Sequence, residues 1–124
     1  MDACKTYERA PHPPSEGNDM IRRVWRGWTT REQGDAYQKI LINDVIPLIE
    51  SKAIPGYVSI EILREDIGNE IEFSTIMTFT SLDSVIAFQG ENYARSHIPD
   101  IARKVLKRWD ETCRHYDIVG KFDY

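Results

Sequence analysis

The chain has 124 residues, 41% of them hydrophobic, and its 16 Lys and Arg against 20 Asp and Glu give a formal charge of −4. That is the length of one domain, able to bury about two-thirds of the surface its unfolded form exposes. The acidic balance gives no support to non-specific nucleic-acid binding, and no run approaches the ~20 apolar residues of a membrane span.

Residues 1–19 contain three of the six prolines and no Ile, Leu, Val, Phe or Trp. Such a segment buries too little apolar surface to offset its ordering entropy, so it reads as a flexible N-terminal tail, with the folded domain spanning 20–124. The first residues lack the apolar stretch of a secretory signal. Cys4 and Cys113 are the only cysteines. Two distant cysteines make no disulfide framework, which points to free thiols and a cytoplasmic location.

From Ile21 to Trp28 the sequence reads IRRVWRGW, rich in β-branched and aromatic residues and so a strand. Thr29 or Thr30 can cap a helix over Glu32 to Lys52, where Tyr37, Leu41, Val45 and Leu48 recur near helical spacing. Pro47 removes one intrahelical hydrogen bond and clashes with the Asn43 carbonyl, predicting a kink near Val45–Pro47. After the break at Ile54-Pro55-Gly56, Val58, Ile60 and Ile62 alternate with Ser59, Glu61 and Leu63 as in a strand. Gly68-Asn69 marks a turn, and Ile71 to Phe79 forms the second arm of a hairpin. Thr80-Ser81-Leu82-Asp83 fits a capping box with Asp in the acidic position, opening a helix that Gly90 ends. Pro99 suits the first turn of a further helix with Ile101, Val105 and Leu106. Arg114 to Val119 reads as the last strand.

The order is β-α-β-β-α-β with the second helical region split. It predicts an α+β, ferredoxin-like fold: one four-stranded antiparallel sheet with helices on one face. The strands carry apolar residues on both faces, as in the pairs Val24/Trp25, Ile60/Leu63 and Phe73/Ile76. That predicts a homodimer packed sheet to sheet.

Trp25 and Trp28 have opposite parity, so one indole can line a pocket while the other meets a partner. An indole beside an arginine can hold a flat aromatic ligand. His97, just before Pro99, is a candidate general base. His115 and Asp117, two apart on a strand, share a face, and the carboxylate can orient the imidazole. Tyr37 and Tyr93 can orient a phenolic hydroxyl, although a core-edge role is the commoner one for tyrosine. The histidines are scattered and no HExxH, Cys/His cluster, calcium loop or Gly-rich phosphate loop is present, so no metal and no nucleotide cofactor is expected.

The VWRGWT strand opening, the IPGY before the second strand, the hairpin running into TFTSLDSVIAF and the HYDIV final strand together resemble the antibiotic-biosynthesis-monooxygenase-like proteins of the dimeric α/β-barrel superfamily. The resemblance covers Ile21 to Val119. It implies a dimeric α/β barrel and an oxygenase acting without a cofactor on a small aromatic or polyphenolic compound. The alternative is a non-catalytic ligand-binding or interaction dimer of the same fold. Haem-degrading members of that superfamily place an asparagine on the first strand, a tryptophan at the end of the third and a histidine on the next helix. Here the first strand has no asparagine, and Phe79 and Phe88 stand at the other two positions. The resemblance thus implies no haem chemistry and counts Phe79 and Phe88 with Trp25, Trp28, Tyr37 and Tyr93 as substrate-binding residues.

Overall fold

The computed structural model describes residues 20–124; the tail reading of 1–19 lies outside them. β1 (Ile21–Thr30) leads into α1 (Gly34–Ile40), a π-helical turn (Leu41–Val45) and α2 (Ile46–Ser51). β2 (Tyr57–Asp66) and β3 (Glu70–Phe79) form the hairpin, followed by α3 (Leu82–Gln89) and the single turn α4 (Asp100–Arg103). Two short strands, β4 (Arg108–Trp109) and β5 (Arg114–Asp117), close the chain.

The sheet runs β2-β3-β1, with β4 and β5 both pairing the far side of β1, and every pairing is antiparallel. This is the ferredoxin-like order, with five strands where the sequence predicts four. The region read as one last strand, Arg114 to Val119, ends at Asp117, and β4 is an additional two-residue strand pairing Gly27 and Trp28. β1 and β3 pair without interruption from Ile21 opposite Phe79 to Thr30 opposite Glu70. Odd positions of both strands therefore share the helix-covered face, and even positions share the open one.

The predicted helix from Glu32 is three segments. Thr30 Oγ1 accepts from the Gln33 N–H at 3.3 Å in the turn before α1, so the helix begins two residues late. The expected kink at Val45–Pro47 is resolved upstream instead. On an α-helical path Pro47 would leave the Asn43 carbonyl without its donor and press its ring against that oxygen. The chain widens, and the Ile46 N–H reaches back five residues to the Leu41 carbonyl. At the other end of the sheet, Ser81 rather than Thr80 is the N-cap of α3, its Oγ accepting from Ser84 N–H at 3.2 Å. Gly56, with φ of +90°, packs its Cα against Ser84 and Thr80 and accepts the Thr80 N–H at 2.8 Å; any side chain there would collide with Ser84.

The core is in two parts. Trp25, Tyr37, Leu41, Ile71, Phe73, Ala102, Leu106 and Cys113 form one cluster. Ile21, Met77, Phe79 and Val85 form the other. Phe73 and Phe79 are completely buried, one in each. On the inward face of β1 the residue between Ile21 of one cluster and Trp25 of the other is Arg23, only 5% exposed. A charge thus stands where a continuous core would place an aliphatic side chain.

Candidate functional site

The gap between the two clusters is a partly open cavity of about 100 Å³ between the sheet and the helices. Trp25, Tyr37, Leu41, Met77 and Phe88 contribute to its walls, and residues 96–99 form its rim. The π-helical turn shapes one side, because Leu41 and Val45 at its two ends both face the cavity. A cavity of ~150 Å³ lined by aliphatic and aromatic groups accepts benzene, so this one, as it stands, matches no more than one small ring.

Trp25 is fixed by its Nε1–H, which donates to the Asp110 carbonyl at 2.9 Å. Its ring lies across Gly27, where an added Cβ would sit 2.6 Å from the Trp25 Cη2. The glycine therefore permits a side chain's close approach, and the pairing of β1 with β3 shows no bulge there. Tyr37 packs edge-on to Phe73 with ring centres 5.0 Å apart, and burial raises its phenol pKa. It is a protonated hydroxyl in the cavity wall at any ordinary pH.

Arg23 is the cavity's charged member. Its Nη1 donates to the Tyr93 carbonyl at 2.5 Å and to His115 Nε2 at 3.0 Å. A guanidinium has only donors, so His115 Nε2 must present its lone pair, which makes the ring neutral with its proton on Nδ1. Desolvation first, and the Arg23 charge second, push the His115 pKa down to about 4. Tyr93 packs its ring edge-on to His115 at 5.0 Å, and the Phe88 ring lies 5.6 Å from the Arg23 Cζ. Among the described residues no carboxylate forms an ion pair with Arg23, and both of these hydrogen bonds leave from Nη1. Burial lowers its pKa from the ordinary value without bringing it near neutrality.

His115 and Asp117 do lie on one face of β5, opposite Arg23 and Ile21 of β1. The His115 lone pair that a general base would use is engaged by Arg23, so the imidazole holds the guanidinium in place. His97 is exposed at the cavity rim, where it also borders a polar surface depression with Arg95, Asp100 and Glu111. Trp28 points away from the cavity: on the open face Arg108 Cζ stacks 3.9 Å and Arg26 Cζ 5.1 Å from its ring. Phe79 is core, between Tyr57 and Phe88 at 5.6 Å from each. Phe88 lines the cavity, and Tyr93 serves through its carbonyl.

Arg23 and Cys113 are among the cavity residues that sequence reasoning passes over, with Thr75, Met77 and Gln89. Parity could have found the first, since Arg23 alternates in step with Ile21 and Trp25. Among the described residues no cluster of His, Cys, Asp or Glu is placed to hold a metal ion, and no helix is long and apolar enough to cross a membrane.

No family model matches the chain, and no curated protein matches it. Solved structures do. Two carry the name "putative antibiotic biosynthesis monooxygenase". The one from Bacillus cereus has a TM-score of 0.62 at 10% identity over 85% of this chain and 96% of its own. The one from Chloroflexus aurantiacus J-10-fl has 0.51 at 16% identity over 84% and 97%. A conserved protein from Methanosarcina mazei Go1 gives 0.55 at 16% identity over 81% and 93%. At such identities what is shared is the fold, over nearly the whole length of each structure.

Proposed function

We propose that the chain is a monooxygenase-like enzyme that needs no cofactor and acts on a small phenolic compound. The observation that carries the reading is the aromatic-walled cavity between sheet and helices, with His97 at its rim. The names of two structures with this fold point the same way. In the reaction, His97 takes the phenolic proton and the electron-rich phenolate reduces dioxygen. One oxygen atom joins the ring carbon and the other leaves as water, the two electron pairs coming from the substrate. The small cavity favours a one-ring substrate over the polyphenol implied by the family resemblance, since a larger molecule would have to extend through the open side. The same small volume favours a second reading, a binding dimer that retains the fold without the chemistry.

Oxygen uptake with one-ring phenols tests the first reading. His97→Ala lowers turnover by about 10²–10⁴-fold, as loss of a general base does. Phenol binding with no oxygen uptake selects the binding dimer.

Quaternary structure belongs to the same proposal: a homodimer through the open sheet face. The outward residues divide by charge. Arg22 and Arg26 on β1 and Arg114 on β5 lie on one half, and Glu61 and Glu65 on β2 with Glu72 on β3 lie on the other, while Arg108 on β4 and Glu70 on β3 already form an ion pair at 3.0 Å. Glu65 stands directly opposite Glu72, a cross-strand pairing of like charges that is unfavourable alone. A second copy related by a twofold axis parallel to the strands would set its arginines over these glutamates. Leu63 and Tyr116 on this face are about half exposed and would be covered. A cytoplasmic setting goes with the reading, Cys113 being a buried free thiol.

A further inference from the structure

We propose that the cavity is an anion site, in which Arg23 receives the ionised oxygen of a one-ring aromatic ligand, a phenolate or an arenecarboxylate. This deepens the reading above and rests on its claim that the cavity holds an aromatic compound. Arg23 is 95% removed from solvent by its own count of 5% exposure, on the inward face of the central strand. A buried cation is costly unless it is paired. Both partners the structure gives it, the Tyr93 carbonyl and His115 Nε2, are neutral, and both bind the same nitrogen, Nη1.

That geometry anchors the guanidinium through Nη1, at a residue that lines the cavity. Arg64 shows the contrast. It also stands at an inward position, opposite Phe73 on β3, yet it reaches the sheet edge and pairs with Asp35 at 2.9 Å. Arg23, on the central strand, forms no such ion pair among the described residues. The ring of a ligand seated between Trp25 and Phe88 would bring an oxygen substituent towards the guanidinium. A neutral His115 is essential to this, because an imidazolium would repel Arg23 and remove its acceptor.

The test uses the whole chain with 4-nitrophenol and its neutral isostere 4-nitrotoluene. Equilibrium dialysis gives their affinities, and the visible absorption band reports ionisation of the nitrophenol. A charge-assisted hydrogen bond predicts that nitrophenol binds about tenfold to hundredfold more tightly. It also predicts that the bound molecule is the coloured phenolate in buffer more acidic than its free pKa. Arg23→Gln loses both the preference and the colour, and Arg23→Lys retains part of each. Equal affinity for the two probes, or a colourless bound nitrophenol, overturns the anion site and leaves the aromatic cavity standing. Binding of neither probe overturns both. Should Arg23→Gln fail to fold, the wild-type comparison of the two probes still decides.

Discussion

The two faces of one sheet obey opposite rules. Towards the helices, the odd positions of β1 and β3 are apolar or small and buried, with Arg23 the one exception on those strands besides the threonines. Towards the open side, the charged residues are arginines on one half and glutamates on the other, with Val24, Trp28, Leu63 and Ile76 scattered among them. The inward face defines the fold by burial and the cavity by a break in that burial. The open face has charge in a pattern, which favours recognition by a complementary surface over a core.

Substitution at matched positions is the most direct way to break this contrast. Phe73→Ala, in a fully buried inward position, should cost about 3–5 kcal/mol in denaturant unfolding. Leu63→Ala, about half exposed on the open side, should cost less than about 1 kcal/mol in a dilute monomer. Should a second copy cover that face, the Leu63→Ala cost will grow with protein concentration. Equal and concentration-independent losses at the two positions would abolish the distinction.

Reversing one open-face charge gives the next largest effect. Glu72→Lys should weaken self-association at least about tenfold, and adding Arg26→Glu, near the same level of the sheet on the basic half, should recover it. Sedimentation velocity at several concentrations reads both; association indifferent to either change removes the proposed axis.

The smallest effect sharpens the inward face. With its pKa at about 4 in the fold, against an ordinary ~6.5, His115 binds its proton later than in the unfolded chain. Stability from this group is complete above about pH 6.5 and is lost as the pH falls towards about 4. Glu70, held down to about 2 by hydrogen bonds from Arg108 and Lys107, adds a separate loss below the ordinary carboxylate range. His115→Gln keeps an acceptor for Arg23 and should flatten only the upper window of a melting-temperature profile against pH. An unchanged profile would mean that His115 titrates normally.

What was legible in the sequence follows period and proximity. The β2–β3 hairpin and β1 announce themselves by alternation, and opposite faces for Trp25 and Trp28 follow from parity alone. β4 has two residues and thus no period to detect. Pro47 signals a distortion, but its position depends on which upstream carbonyl the chain can satisfy, and that is decided by packing. Tyr37, Phe88 and His97 are readable as cavity candidates because their residue types suit aromatic ligands. The pairing of Arg23 with His115 joins residues 92 apart, opposite one another across β1 and β5. Spacing within one segment contains no such information; it shows only that His115 and Asp117 share a face.

The π-helical turn also has a genetic meaning. It contains one residue more than an α-helical path of the same connection would, the amount that one codon supplies. Removing one codon between Leu41 and Val45 would restore the regular ladder upstream of Pro47. The widened turn absorbs the extra residue, so Ile46 and Ile49 would keep the side they now turn to the cavity, and only the wall between Leu41 and Val45 would change. One codon in this turn is therefore a change to the cavity's wall alone, made without moving the sheet, Arg23 or α2.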